Sequence, residues 1–246
     1  MLISFPDSRI AFPSLRSFLK VTKAISISAN GHQGRGSRWM KNDEIVNDTL
    51  EALTKEFMAN PYVCYTEQGF HALFFTMLFN RLPVEDRYSQ LGNKKLGDKK
   101  VCIIQKEYPT FHKLKDSKRG HWDIAVLENP LVSLKSPAYD FLKVDSAVEF
   151  GLNEGLRHLE GDIKRLSEKE SNVAHKFIVH FYRLSNTESL RDWNPRSKRI
   201  VSSEEVARRI KGADIVAYYA VVDRTRNKRQ ALKIADGRVQ ELQLRS

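Results

Sequence analysis

The strongest constraint on the fold is the order in which hydrophobic periodicity changes along the chain. Val46, Leu50, Leu53 and Phe57 recur at helical spacing over Asn42–Met58, until Asn60-Pro61 stops the pattern. Thr66 is placed to cap a second helix, Glu67–Leu82, whose apolar content predicts burial on more than one face. Strand-like segments follow at Val101–Glu107, Trp122–Leu127 and Val144–Phe150, after a polar loop carrying Lys94-Lys95 and Lys99-Lys100. Leu156–Lys169 returns to helical spacing, with Leu156, Leu159, Ile163 and Leu166 on one stripe, and Lys176–Leu184 reads as a further strand. The capping box Ser202-x-x-Glu205 opens a short helix, Glu204–Lys211. Ile215–Val222 and Gln230–Ile234 are the last strands, and Asp236-Gly237 marks a tight turn. Elements in this order predict an α/β architecture with a mixed central sheet and a small C-terminal α/β extension.

The first 39 residues stand apart. They hold seven Ser, six Lys+Arg and one acid, Asp7, with no continuous amphipathic pattern. Two readings stay open there: a basic tail without fixed structure, or a start assigned too far upstream. The rest, 40–246, is read as a single domain, long enough to bury a core without disulfide staples. Cys64 and Cys102 show no metal-ligand spacing and read as buried thiols of a reducing, cytoplasmic compartment. The apolar run Ala72–Phe79, interrupted by Thr76, is far short of the roughly 18 residues that a membrane span needs, so a membrane enzyme is not expected. Forty-one Lys+Arg against 30 Asp+Glu leave a net charge of +11, which favours a polyanionic partner.

Acids placed where strands should be apolar carry the chemistry. Period-2 alternation puts Trp122, Ile124 and Val126 on one face of their strand and Asp123 on the other with Ala125 and Leu127. Glu149 shares a face with Asp145, Ala147 and Gly151, and Glu107 closes the first strand. If these strands are neighbours, three carboxylates converge, and mutual repulsion is relieved by a divalent cation held between Asp123, Glu149 and Glu107. Oxygen ligands of this kind suit Mg²⁺ or Mn²⁺. The competing reading is that each acid tops a strand at the solvent edge and pairs with a nearby Lys or Arg.

With the helix of Glu67, the strand ending Lys106-Glu107-Tyr108-Pro109-Thr110, and the strands of Asp123 and Glu149 followed by a helix and a strand, residues 62–184 resemble the PD-(D/E)XK nuclease superfamily. The resemblance implies a restriction-endonuclease-like αβββαβ core and metal-dependent phosphodiester hydrolysis. Asp123 and Glu149 would bind the metal, Glu107 would assist, and Glu67 would complete the acidic cluster. One position departs from the pattern: Gly151 stands where the family carries a lysine two residues after the acid. The following helix offers Arg157, Lys164 and Arg165, and Lys164 is the expected replacement; Asp162 is either a supporting acid or surface. The alternative is a catalytically inactive module of the same fold that binds DNA or a protein partner.

Basic clusters at His112–Arg119, Arg191–Arg199 and Arg224–Arg229 suit phosphate tracking, with Arg119, Arg196, Lys198, Arg199 and Arg226 as the expected contacts and Trp193 as a stacking group. His71, inside an apolar helix, reads as a hydrogen-bonded core residue, and His121 as a weak supporting group for Asp123. The GxxxxGK[ST], GxGxxG and GxSxG patterns are absent, which leaves P-loop, Rossmann and α/β-hydrolase readings without support.

Overall fold

The computed structural model describes residues 42–90, 100–113, 119–131, 133–134, 141–169, 173–184, 200–224 and 227–244. The tail 1–39, the side chain of Arg119, and Trp193, Arg196, Lys198, Arg199 and Arg226 lie outside the described residues. Two helices come first, α1 (Asn42–Ala59) and α2 (Glu67–Arg81). A short ribbon of β1 (Tyr88–Gln90) and β2 (Lys100–Cys102) leads to β3 (Ile104–Lys113) and β4 (Arg119–Leu127). A second ribbon, β5 (Ser133–Leu134) and β6 (Phe141–Leu142), precedes β7 (Val144–Leu152), α3 (Leu156–Leu166) and β8 (His175–Leu184). The chain ends with α4 (Ser203–Ile210), β9 (Ile215–Asp223), β10 (Lys228–Ala235) and β11 (Arg238–Glu241).

Seven strands form one mixed sheet in the order β11-β10-β9-β8-β7-β4-β3. The joins β7–β8 and β8–β9 are parallel, bridged by α3 and α4, and all others are antiparallel. The three C-terminal strands therefore extend the same sheet and do not stand as a separate extension. Their apolar residues Ala217, Tyr218, Ala220, Leu232 and Ile234 are buried and belong to the common core.

Neighbouring residues of a strand point to opposite faces, which assigns the helices. Tyr218 donates to Asn47 of α1, whereas Tyr219 donates to the carbonyl of Val201, just before α4. Phe150 packs against Phe74 of α2, whereas Glu149 bonds Arg165 of α3. Thus α1 and α2 cover one face of the sheet, and α3 and α4 the other. The caps follow the sequence: Thr66 accepts from the Gly69 amide at 3.1 Å and Ser202 from the Glu205 amide at 3.3 Å. At Asp236-Gly237 both residues have positive φ, 48° and 71°, the conformation a two-residue hairpin turn requires. Cys64 and Cys102 are unpaired and only half-buried. Among the described residues no helix is long and apolar enough to cross a membrane.

Candidate metal centre

The site forms where two strands part. β4 and β7 pair from Leu127↔Val144 to Ile124↔Val148, after which β7 runs on to Leu152 without β4 beside it. The amides of Phe150 and Leu152, on the edge that β4 has left, would then lack partners inside the protein. Two carboxylates replace the missing strand: Asp123 Oδ2 accepts from the Phe150 amide at 2.7 Å, and Glu67 Oε2 accepts from the Leu152 amide at 2.9 Å. Glu67 leads α2, so its carboxylate also sits at the positive end of that helix.

Register aligns the three predicted acids. Asp123 and Glu149 come one step beyond the last pair, Ile124↔Val148, where the strands begin to part, and Lys106↔Ile124 with Tyr108↔Trp122 places Glu107 level with Asp123. Glu107, Asp123 and Glu149 therefore form one lateral row across β3, β4 and β7. Glu107 holds φ at 53°, a left-handed backbone that is unfavourable for a residue with Cβ and recurs at functional sites. It is exposed, Asp123 is half-buried and Glu149 is fully buried.

The row does not act as the sequence predicts in every respect. The tight donor group is His71, Glu107 and Asp123, whose ligand atoms lie within 4.8 Å of one another. His71 is one helical turn after Glu67, so both lean toward the crevice from the same side of α2. Its Nε2 lies 3.7 Å from Asp123 Oδ2, and its ring packs on Phe150 with centroids 4.8 Å apart. The reading of His71 as a hydrogen-bonded core residue is corrected, since both ring nitrogens are buried and neither has a hydrogen-bond partner among the described residues. Burial, helped by the charge of Lys106, lowers its pKa to about 4, so the imidazole is neutral and its lone pair is open to a cation. Lys106 itself is exposed and bonds Gln68 of α2.

On the other side of the row, α3 supplies a cation, but not the expected one. Lys164 is exposed, and Arg165 donates through Nε to Glu149 Oε1 at 2.6 Å and through Nη2 to Asp162 Oδ1 at 2.5 Å. Helix phase is the reason. Lys164 falls about 140° round the helix from buried Leu159, on the outer side, at 3.6 residues per turn. Asp162, three residues after Leu159 and four before Leu166, lies on the buried stripe and is fully buried. Its Oδ2 lies 3.3 Å from His158 Nε2, which is also 3.1 Å from the Phe150 carbonyl. His121 is exposed on β4.

Gly151 has a steric explanation. A Cβ there would stand 2.7 Å from Nδ1 of buried His180, so a lysine at this position would have to displace a packed ring. That ring is held by Tyr182, whose hydroxyl lies 2.8 Å from His180 Nε2, donates to the Glu154 carbonyl and accepts from the Val201 amide.

The cluster is electrostatically loaded. Burial raises the pKa of Asp123 to about 6 against the pull of the Phe150 amide, with the Glu67 charge adding to the rise. Burial likewise pushes Glu149 up to about 8 despite Arg165. Asp162 rises well above the ordinary carboxylate range through burial and the neighbouring Glu149, and Glu67 rises through burial. Burial pulls Arg165 down, but its bonds to Glu149 and Asp162 more than offset this and raise it. Among the described residues, the charges of Glu67, Asp123, Glu149 and Asp162 all act on the Arg165 guanidinium, and Oε2 of Glu149 is buried without a hydrogen-bond partner. A cation bonded at about 2.0–2.3 Å holds its donors about 3–4.5 Å apart, so the His71–Glu107–Asp123 group needs only a small closure to grip one.

Comparison with protein-family models, with curated proteins and with solved structures finds no match to this chain.

Proposed function

We propose that this chain is a metal-dependent phosphodiesterase acting on nucleic acid, built on a restriction-endonuclease-like core. One observation carries the reading: Glu107, Asp123 and Glu149 stand in a row across three strands, beside a neutral histidine whose buried nitrogens have no hydrogen-bond partner among the described residues. His71, Glu107 and Asp123 would hold the cation. The imidazole ligand favours Mn²⁺ or a later transition metal over Mg²⁺, which prefers oxygen donors and retained water. A divalent cation there would supply a nucleophilic water near neutral pH and offset charge on a phosphodiester. Arg165, a permanent cation beside Glu149, would stabilise negative charge developing on the phosphate, the part played by lysine in the family that the chain resembles. A nucleic-acid partner and a cytoplasmic location belong to the same proposal.

A second reading has its own support. Gly151 leaves no room for the family lysine, and both acids nearest Arg165 already engage it. On this reading the chain is an inactive module that binds DNA or a protein partner. Calorimetric titration with Mn²⁺ and Mg²⁺, together with a cleavage assay on single- and double-stranded DNA and RNA, separates the two. The nuclease reading expects Mn²⁺ binding that is at least tenfold weaker in His71→Ala, since one of the ligands is lost, and cleavage that vanishes in Asp123→Asn. Wild-type protein that binds neither metal and cuts nothing leaves the binding module as the reading.

A further inference from the structure

Beside the metal centre lies a surface group that the chemistry above does not use. The loop Asn60–Thr66 between α1 and α2 carries Tyr62 and Tyr65, which are 39% and 80% exposed. Most buried tyrosines of this chain are seated by their hydroxyls, but Tyr65 presents its ring to solvent. A cation lies against each of these rings. The guanidinium of Arg183, near the end of β8, is 4.9 Å from the Tyr62 ring centroid and 5.3 Å from that of Tyr65. Arg224, just past β9, is 5.6 Å from the Tyr62 centroid. Tyr65, Arg183, Tyr62 and Arg224 thus form an alternating series of rings and guanidinium groups.

The series is held rigidly. Arg183 donates to the carbonyls of Pro61 and Cys64, at 3.1 and 2.6 Å, and to that of Tyr65. Carbonyls satisfy its N–H groups without cancelling its charge. Asn60 fixes the turn by accepting from the Tyr62 amide at 3.1 Å, and Thr66 caps α2. A clamp of this kind explains the position of Arg183, but it does not explain an aromatic ring left open above it.

The position ties this group to the acids. β7, β8 and β9 are parallel, so Leu152, Arg183 and Arg224 all emerge at the same end of the sheet. Asn153 accepts from the Arg183 amide at 2.8 Å, and Glu67, two residues after Tyr65, bonds Leu152. The platform and the acidic row are therefore joined through adjacent residues.

We infer that Tyr65, backed by Arg183 and Tyr62, is a stacking platform for an unpaired nucleobase, so that the preferred ligand is a single strand or a splayed-out nucleotide and not an intact duplex. An exposed ring supplies a face to any base, and the nearby guanidinium groups add cation–π and phosphate attraction. Bases inside a duplex have both faces covered and cannot use it. This rests on the nucleic-acid reading above and sharpens its substrate class.

The test is fluorescence anisotropy on the full chain without divalent metal. The probes are a labelled single strand of about 12 nucleotides, within the range that such platforms cover, and the same sequence as a blunt duplex. Tyr65→Ala is expected to weaken single-strand binding about tenfold and to leave duplex binding within about twofold, while Tyr65→Phe keeps wild-type affinity. Because Tyr65 is exposed, an unchanged melting temperature should accompany the loss. Single-strand affinity unchanged in Tyr65→Ala, an equal loss on both probes, or wild-type protein that binds neither, each overturns the inference. Mn²⁺ binding at His71, measured separately, tells whether the metal-centre reading falls with it.

Discussion

Two clusters in this protein are made of the same residue types and behave in opposite ways. On the surface of α4, Glu205 takes Arg208 and Arg209 at 2.5–3.0 Å, and Arg209 also pairs with Glu160. Its arginines hold the Glu205 carboxyl below its ordinary pKa. In the crevice, Glu149 and Asp162 take Arg165 at 2.5–2.6 Å, yet both carboxyls are raised. Pairing distance is the same, so it does not decide the outcome. Burial does, because water withdrawn from two carboxylates costs more than one guanidinium returns. The surface cluster is ordinary solubilising electrostatics. The crevice cluster instead pushes Glu149 and Asp162 toward their protonated forms, although both bond the same guanidinium.

The comparison can be broken most forcefully at Arg165. Arg165→Met leaves two buried carboxylates without a counter-charge and should cost about 3–5 kcal/mol in denaturant unfolding at pH 8. Part of the loss should return at pH 5.5, where the carboxyls bind protons. A loss below 1 kcal/mol, taken as roughly the value of an exposed pair, would mean that the crevice is no different from the surface.

Gly151→Ala comes next. The added Cβ meets His180 and should destabilise by about 1–3 kcal/mol, the usual cost of overpacking. A neutral substitution would show that the ring yields easily and that the family lysine could have been accommodated.

Proton linkage gives a slope in place of a step. Asp123 at about 6 and Glu149 at about 8 lie above their unfolded values, so the folded state binds more protons between pH 4 and 8. Stability contributed by these groups is therefore greatest at low pH and is lost as pH rises through that window. Below about pH 6.5 the lowered His71 and His180 work the other way, so it is between pH 6.5 and 8 that the unfolding midpoint should fall with rising pH in the wild type and flatten in Glu149→Gln. Cations compete for the same oxygens, so the stabilisation by Mn²⁺, read as a melting-temperature shift, should be larger at pH 8 than at pH 6. The smallest effect belongs to the surface: Arg209→Ala should leave the melting temperature unchanged.

Much of the architecture was legible in the chain. Strands Ile215–Asp223 and His175–Leu184 lie within a residue of their predicted limits, because continuous apolar runs bounded by polar residues have one burial solution. β11 is not legible in the sequence, since Arg238–Glu241 is exposed throughout and shows no apolar face. Asp123 and Glu149 are recognisable because each interrupts an apolar strand face, and Glu107 because it closes a strand beside them. His71 is not, although its spacing from Glu67 is a signal that both share a helix face. The family pattern asks for a lysine and so points to Lys164, whereas the buried stripe through Leu159, Asp162 and Leu166 brings the neighbouring Arg165 to Glu149.

By itself the sequence determined which residues are apolar at which period, and hence the helices, the strands and the faces on which the acids stand. The tertiary structure was needed to part β7 from β4 beyond Val148, so that Asp123 and Glu67 turn to bare amides and His71 reaches the row from across the sheet. Periodicity is a property of each segment alone. Register, strand divergence and desolvation are properties of segments far apart in the chain, and they set where the charge in this crevice must be met.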